Sequence, residues 1–507
     1  MVSVDESSDV ASLSVFFEAH GDAPNATYVR DARGDLSLHY GELAGVLASR
    51  RAQFEAWGLG PGDRVGLLFA SPVSFVGWFL AGLHAGLWVA PLDPTNATNS
   101  PEATDHRAHA LSLSAIVSDL PGPRQSATRW WRAPSSDVAA SLANEVSGGG
   151  VLLASSGSTG TPKVMALRKF QLLTNAQLIV RNHEFTRRDR GFNALPWWHV
   201  NAEVVGFLAT LCAGATLVVD ERFHRTNFWD VVRDHEVTWI NAVPAMIARL
   251  LPLHDGERVP DSLRFVRSAS APLAPRLLQA FEAATGVDVI ESYGMTEAAS
   301  QICANPAGGA RVIGSVGRPV GVDVRVVRPP DDVATGFDGV EVGLVEIKGP
   351  TVITNYESPG YDDRFDDHGW LRTGDVGYFD EDGFLFLVGR SDDVINRGGE
   401  KVYPQEIENV LTGVRGVERV VVIGEADDVF GQVPVAYVEV PADVVRDDLE
   451  LDAVLSSLRG ALTSQLTKAY RPALLKIVEE IPTAATGKVR KGLVRSGDVR
   501  VVRVEHL

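Results

Sequence analysis

Short apolar runs alternate with longer amphipathic segments along the first 300 residues of the chain. The apolar runs predict strands at 64–69, 215–220, 237–242, 264–269 and 287–292. The amphipathic segments predict helices at 72–85, 227–235, 244–251 and 274–285. Strands and helices in alternation imply largely parallel sheets covered by helices, and such sheets hold ligand sites at the carboxyl ends of their strands.

The pattern changes near residue 310. From 313 to 390 only short strands occur, separated by Gly, Asp and Pro, which predicts a small antiparallel barrel or sheet. After residue 393 the alternation returns on a smaller scale, with helices expected at 404–411 and 451–466 and strands at 420–424 and 433–440. The segment 100–150 is rich in Ala, Ser, Pro and Gly, and we expect it to be irregular surface structure.

The expected fold class is therefore α/β. A large N-terminal domain of helix-covered sheets should span residues 1–389, with a small β-barrel subdomain at about 310–389. A small α+β C-terminal domain should span 394–507, and the boundary between the two should lie at 390–393.

Composition narrows the classes of function. The 507 residues carry 47 basic and 65 acidic side chains, a net charge of −18, which argues against a general binder of nucleic acid or anionic membranes. Two cysteines cannot form a disulfide framework, and no Cys/His cluster has zinc spacing. The first ten residues are polar and acidic and lack the apolar run of a signal peptide, so we expect a cytoplasmic protein.

Only eight of the 47 basic residues are lysines, so this chain rarely uses lysine as a generic surface charge. A lysine inside a motif is therefore a stronger candidate for a chemical role. One such lysine ends a loop rich in glycine and hydroxyl side chains that follows the apolar run 151–154. Glycines let backbone N–H groups approach a phosphate, hydroxyls donate to its oxygens and lysine supplies charge. The spacing matches neither the Walker loop nor the dinucleotide fingerprint. The candidate phosphate-binding residues are Ser155, Ser156, Gly157, Ser158, Thr159, Gly160 and Lys163.

This loop, followed by Pro-Lys, resembles that of the adenylate-forming superfamily, which comprises acyl-CoA synthetases, peptide-synthetase adenylation domains and beetle luciferases. The resemblance extends over nearly the whole chain, with further matches at 40–43, 60–65 and 90–94. Val164 is a departure, because many members carry glycine there.

A second motif, 291–297, follows a predicted strand, where we expect a ligand-facing loop. Tyrosine offers a flat face to adenine, threonine a donor to a phosphate, and glutamate an oxygen ligand to Mg²⁺. The resemblance implies these roles for Tyr293, Thr296 and Glu297, with Gly294 and Met295 beside the nucleotide. It also implies that the loop Ser270-Ala271-Pro272 packs on adenine, although Ser270 stands where the family has glycine.

The same resemblance implies that Asp375 and Arg390 bind the ribose of ATP and that Asp392 is the pivot of a hinge between the domains. The C-terminal domain would then be mobile. Its strand Gly398-Gly399-Glu400-Lys401 would line the tunnel for coenzyme A, and Lys488 would reach the forming acyl phosphate.

The resemblance also implies an acyl pocket around Trp198, His199, Asn201 and Ala299, with His199 acting as a gate. Trp198 replaces the commoner phenylalanine of the family and adds bulk there. Oxalate-type relatives carry a His-Gln pair where this chain has Ser300-Gln301, so a dicarboxylate substrate is not predicted.

The resemblance implies an acyl-CoA synthetase that uses ATP, Mg²⁺ and coenzyme A, with Lys488, His199, Thr296 and Glu297 as catalytic residues. An alternative is an adenylating enzyme that transfers the acyl group to an amine or to a carrier protein acting in trans. A non-catalytic relative is a third reading. We expect no nucleic-acid or membrane partner, and a monomer or homodimer.

Overall fold

The computed structural model describes residues 12–18, 23–95, 101–120, 129–132, 145–155, 163–254, 256–328, 340–484 and 487–507. Within these ranges, nine strands form the largest sheet, six of them parallel, with antiparallel strands at both edges. Their order across the sheet is Arg318–Pro319, Ser300–Ala304, Asp288–Met295, Phe265–Ser268, Trp239–Ala242, Arg190–Asn193, Thr216–Val219, Thr27–Asp31 and Ser37–His39.

A second sheet, six-stranded over the described ranges, is parallel except for its last pair. Its order is Arg129–Arg132, Ala115–Ser118, Arg64–Leu68, Trp88–Pro91, Gly150–Ser155 and Lys163–Arg168. The expectation of irregular structure at 100–150 is therefore wrong in part. Ala115–Ser118 is a buried inner strand, and Pro101–Ala110 is a helix. Four residues of small and branched side chains suffice for a buried parallel strand, and the surrounding Ala, Ser and Pro conceal them in the sequence.

Helices cover both sheets. The helix Pro72–His84 begins at Ser71, whose hydroxyl accepts from the N–H of Ser74, and Pro72 occupies the tolerated first turn. No helix of the described residues is long and apolar enough to cross a membrane. The other helices of this half are Leu13–Glu18, Leu43–Ala56, Lys169–His183, Ala209–Ala213, Phe228–Asp234, Pro244–Arg249 and Pro275–Thr285.

The region after residue 310 contains short strands and no long helix among its described residues, as expected. The four strands Asp323–Val327, Gly343–Lys348, Leu371–Phe379 and Leu385–Arg390 form an antiparallel sheet in that order. The first and last strands do not pair with each other among these residues, so of the two forms expected the region is the antiparallel sheet and not the closed barrel.

The C-terminal residues form a mixed sheet against which the helices Pro404–Thr412 and Asp448–Gln465 pack, with two short helices at Ala442–Arg446 and Lys491–Arg495. Its strands are Ile395–Arg397, Glu400–Val402, Arg419–Asp427, Gly431–Glu439, Leu474–Val478 and Val501–His506. One apolar cluster joins Val376 and Val388 of the four-stranded sheet to Tyr403 and Ile407. The C-terminal sheet and its helices therefore pack directly on the preceding sheet.

Candidate active site

Three side chains predicted for the nucleotide converge from three strands. The Tyr293 hydroxyl donates to Oδ2 of Asp375. Nη1 of Arg390 lies 3.1 Å from the other carboxylate oxygen, Oδ1. Burial raises the pKa of Asp375, while the charge of Arg390 and the hydrogen bond from Tyr293 act in the opposite direction. Each carboxylate oxygen keeps further lone pairs, so this group can still accept from sugar hydroxyls.

Gly374 makes this arrangement possible. Its φ is +83°, and a Cβ at this position would lie 2.6 Å from Nη2 of Arg390. Any larger residue would both strain the backbone and displace the guanidinium from Asp375.

The Tyr-Gly motif lies in a different element from the one expected. The strand Asp288–Met295 continues through Tyr293, Gly294 and Met295, and pairs antiparallel with Ser300–Ala304. A Cβ on Gly294 would lie 1.8 Å from the carbonyl oxygen of Ser300, so glycine permits this close pairing. The ligand-facing loop was therefore expected too early along the chain, because pairing with a later strand extends the element.

Glu297 lies in the short 3₁₀ helix Thr296–Ala298 that follows, and it is 9% exposed. Its Oε1 accepts a hydrogen bond of 2.9 Å from the hydroxyl of Tyr356. The ammonium of Lys163 lies 5.7 Å from the centre of the same Tyr356 ring and 4.9 Å from that of Tyr361. Burial and the charge of Arg364 lower the pKa of Lys163.

Sequence reasoning missed Tyr356 and Tyr361. They lie in an irregular segment with no periodicity, where two aromatic residues among turn formers were the sole available signal. Lys163 begins the strand Lys163–Arg168, directly opposite Ser155 in the neighbouring strand. The predicted phosphate-binding residues Ser156, Gly157, Ser158, Thr159 and Gly160 lie outside the described residues.

The expected adenine loop adopts a glycine-like backbone without glycine. Ser270 has φ +72°, in the left-handed region, so the serine keeps the conformation that glycine favours. Its hydroxyl accepts a 3.1 Å hydrogen bond from the side-chain amide of Asn201. Ala271 is half-buried and Pro272 is exposed. The carboxylate of Glu291 accepts a hydrogen bond from the N–H of Leu273 at the end of this loop. Burial raises the pKa of Glu291 to about 8.

The expected acyl-pocket residues lie beside this loop. The Trp198 side chain is buried, and its ring lies 4.9 Å from that of Trp197 and 6.3 Å from that of His199. Asn201 begins a π-helical segment, Asn201–Leu208, a rare geometry that often occurs at functional sites. Ala299 is buried with φ +53°, at the turn into the strand Ser300–Ala304.

His199 is a neutral imidazole near neutral pH, because burial and the charge of Arg107 lower its pKa to about 4. Arg107 also donates to the carbonyl of Ala154, at the end of the strand that leads to the glycine-rich loop. Sequence reasoning missed Arg107, because it lies in the segment 100–150 that was expected to be irregular.

Lys488 lies near enough to Asp375 for its charge to act on that carboxyl. It is exposed, and its charge lowers the pKa of Asp375. A Cβ at the preceding Gly487 would lie 3.5 Å from Cγ2 of Val243, so this loop contacts the N-terminal half. Oδ1 of Asp392, the predicted hinge residue, lies 3.0 Å from Nε of Arg390. The residues predicted for the tunnel lie elsewhere: Gly398, Gly399 and Glu400 are exposed and Lys401 is half-buried, on a hairpin whose Gly398 N–H donates to the carbonyl of Phe430.

No group of three or more His, Cys, Asp or Glu among the described residues could hold a metal ion by itself. A single carboxylate such as Glu297 fits Mg²⁺ that is held mainly by substrate phosphates, which is how this ion usually binds in nucleotide sites.

Comparisons with known proteins match both parts of the chain. The profile of the AMP-binding enzyme family matches residues 16–357, and that of the AMP-binding enzyme C-terminal domain matches 406–488. A sulfoacetate–CoA ligase of Cupriavidus necator is 38% identical over 67% of this chain and 65% of its own length. An oxalate–CoA ligase of Arabidopsis thaliana is 31% identical over 91% of this chain and 93% of its own length.

Among solved structures, ATP-bound MatB from Rhodopseudomonas palustris is 28% identical, with a TM-score of 0.84 over 96% of this chain and 99% of its own. The apo form of MatB aligns with the same fractions of the two chains, and its TM-score is 0.75.

Proposed function

Because the chain belongs to the family of AMP-binding enzymes, we propose that it is an ATP-dependent acyl-CoA synthetase. In the first step a substrate carboxylate attacks the α-phosphorus of ATP, and the bond to pyrophosphate breaks, leaving an acyl-AMP. In the second step the thiol of coenzyme A attacks the acyl carbon, loses its proton and displaces AMP. The observation that carries this proposal is the presence of Lys488 beside the Tyr293–Asp375–Arg390 cluster.

The nucleotide roles follow from the chemistry of these groups. Asp375 would accept from the ribose hydroxyls while Arg390 holds the carboxylate in place. Tyr293 would lie against adenine, with the 270–272 loop on its other side. Lys163 and Thr296 would contact the phosphates. Mg²⁺ would be held by Glu297 together with the phosphates, and when bound it neutralises charge on them.

Lys488 is proposed to stabilise the negative charge that develops as the acyl phosphate forms. Little acid–base chemistry is needed in this step, so alignment and charge stabilisation supply most of the acceleration. We further propose that residues 1–389 and 394–507 act as two domains, with 390–393 as the hinge. The better agreement with the ATP-bound than with the apo neighbour supports an arrangement suited to the first step.

Coenzyme A is the proposed acceptor, because the curated relatives are named as CoA ligases. A carrier protein acting in trans is the second candidate, and a location in the cytoplasm and a monomeric or homodimeric state stay as proposals. Two relatives are named for sulfoacetate and oxalate, acids that carry a second anionic group.

The test is pyrophosphate release with a panel of carboxylic acids, run with and without coenzyme A. The panel should contain short monocarboxylic acids, aromatic acids, dicarboxylic acids and sulfonated acids. We expect release with at least one acid, and AMP and a thioester only when coenzyme A is added. Pyrophosphate release that coenzyme A does not alter would favour a carrier protein or an amine as the acceptor. No pyrophosphate release with any acid would overturn the proposal.

A further inference from the structure

Arg267 is a buried arginine without a carboxylate partner. It is 2% exposed, and no Asp or Glu of the described residues forms an ion pair with it. Burying an uncompensated charge is costly unless hydrogen bonds or a ligand offset it. Burial lowers its pKa to about 9, which still leaves the guanidinium charged at neutral pH.

The side chains that accept hydrogen bonds from Arg267 are neutral amides. Its Nη1 donates to Oδ1 of Asn241 at 3.1 Å and to Oδ1 of Asn201 at 3.3 Å, and its Nη2 lies 3.5 Å from Oε1 of Gln301. Asn193, Asn241 and Arg267 occupy the same register on three adjacent parallel strands, so they form one polar row on one face of the sheet.

Two donors of this cluster have no partner among the described residues. They are Nε of Arg267 and Nε2 of Gln301, both fully shielded from solvent. Buried donors in native proteins nearly always have an acceptor. Two donors without one, at a guanidinium that lacks a carboxylate partner, indicate a bound group that supplies acceptors and negative charge.

The cluster adjoins the expected acyl pocket. Asn201 accepts from Arg267 through its oxygen and donates to the Ser270 hydroxyl through its nitrogen, 3.1 Å away. One side chain therefore separates the guanidinium from the adenine loop. A short acid whose carboxylate is activated beside the nucleotide would place its other end toward Arg267.

The geometry points to a carboxylic acid substrate with a second anionic group, either sulfonate or carboxylate, which Arg267 and Gln301 bind within the acyl pocket. The inference rests on the proposed acyl-CoA synthetase function and specifies its substrate class. No sequence motif marks Arg267 as an anion-binding group.

The experiment compares acids matched in length: sulfoacetic and malonic acids as the two dianionic arms, and methoxyacetic and butyric acids as neutral-ended controls. Pyrophosphate release gives kcat/KM for each acid. We expect one dianionic arm to exceed the neutral controls by about 10²-fold or more in the unmodified enzyme. Preference for the sulfonate or for the carboxylate identifies which anion the site takes.

Arg267→Gln should reduce the ratio of kcat/KM between the preferred dianionic acid and its neutral control by about 10²-fold, chiefly through KM. Arg264→Gln is the matched control. This residue precedes the same strand but pairs with Asp189 at 2.5 Å, and the ratio should not change. An unchanged ratio in Arg267→Gln would overturn the inference.

Because Arg267→Gln alters a buried site, a second measurement uses the unmodified enzyme alone. With a non-hydrolysable ATP analogue bound, the preferred dianionic acid should raise the melting temperature more than its neutral control. Equal shifts would count against the inference. If a neutral monocarboxylic acid is converted to its CoA thioester and both dianionic acids are inert, the substrate class is wrong while the proposed function stands. If no acid of any class is activated, the proposed function itself fails.

Discussion

Two loops of the C-terminal region carry residues predicted for catalysis, and they lie in different surroundings. The loop with Lys488 lies near the Tyr293–Asp375–Arg390 cluster, and Gly487 packs near Val243 of the other half. The turn of the hairpin with Gly398 and Gly399 is exposed, and the N–H groups of these two glycines donate to the carbonyl of Phe430 and to the side chain of Asn396.

The difference indicates that one arrangement serves one reaction step. Under the proposed mechanism, the lysine loop is positioned for acyl-AMP formation, whereas the glycine hairpin is not yet positioned for the thiol step. A rotation of residues 394–507 about the 390–393 segment would exchange the two loops, which is a hinge motion of the kind known in enzymes with sequential chemistry. This exchange is a proposal, which the first three of the following predictions probe.

The largest effect is expected for Lys488→Ala. Loss of one preorganised charge should slow acyl-AMP formation by about 10²–10⁴-fold, measured as pyrophosphate release. With chemically prepared acyl-AMP and coenzyme A, the thioester should still form at a rate close to that of the unmodified enzyme. Lys468→Ala, an exposed lysine of the same region, is the control. Equal damage to both steps would show that Lys488 supports the fold and not one step.

The next effect concerns the hinge. Asp392→Pro should fix φ near −65° and slow overall thioester formation by about 10²-fold, while a first turnover of acyl-AMP still accumulates. The N–H of Asp392 donates no hydrogen bond among the described residues, so proline removes no recorded bond. Asp392→Ala separates loss of the Arg390 contact from loss of rotation. Normal turnover in the proline variant would exclude rotation about this residue.

A smaller effect is expected in the hairpin. Gly399 has φ +95°, and alanine there is strained although no atom lies within 4 Å of the added Cβ. Gly399→Ala should slow the coenzyme A step about tenfold and leave pyrophosphate release from acid and ATP nearly unchanged. Stopped-flow measurement of each step checks this, with Gly460→Ala in the helix Asp448–Gln465 as control. A defect in adenylation would place the hairpin in the first step.

The smallest effect is one of stability. Lys491 is not a simple surface charge, because its ammonium lies 2.9 Å from Oδ2 of Asp393 and 3.7 Å from Oε1 of Glu408. Lys491→Ala should lower the free energy of unfolding by about 1–2 kcal/mol, since it leaves a largely buried carboxylate with one partner fewer. Urea denaturation measures the loss. A change below that of Lys468→Ala would show that the pair contributes nothing.

The stability that the Lys491–Asp393 ion pair contributes depends on pH. The charges of Lys491 and Arg495 hold the pKa of Asp393 below its usual range. A carboxyl with a depressed folded-state pKa contributes stability above its unfolded pKa and loses it as pH falls through the folded value. Asp393→Asn should therefore weaken the acid dependence of unfolding, compared with Asp392→Asn as the neighbouring control.

Motifs made of consecutive residues could be predicted from the sequence. Tyr293, Asp375, Arg390 and Lys488 are each marked by their own neighbours along the chain, and the structure brings them together. The alternation of apolar runs predicted the parallel sheets and the change near residue 310 for the same reason, because periodicity is a local property.

Contacts between distant residues were decided by the tertiary structure. Tyr356 reaches Glu297 across 59 residues, and Asn201 reaches Ser270 across 69. Arg107 and Arg267 are ordinary charged residues in the sequence, and only burial without a carboxylate partner distinguishes Arg267. Burial and pairing depend on which strands become neighbours, and no local pattern encodes that choice. The sequence therefore determined the type of chemistry, whereas the burial of Arg267 and the neighbours of each site residue were decided by packing.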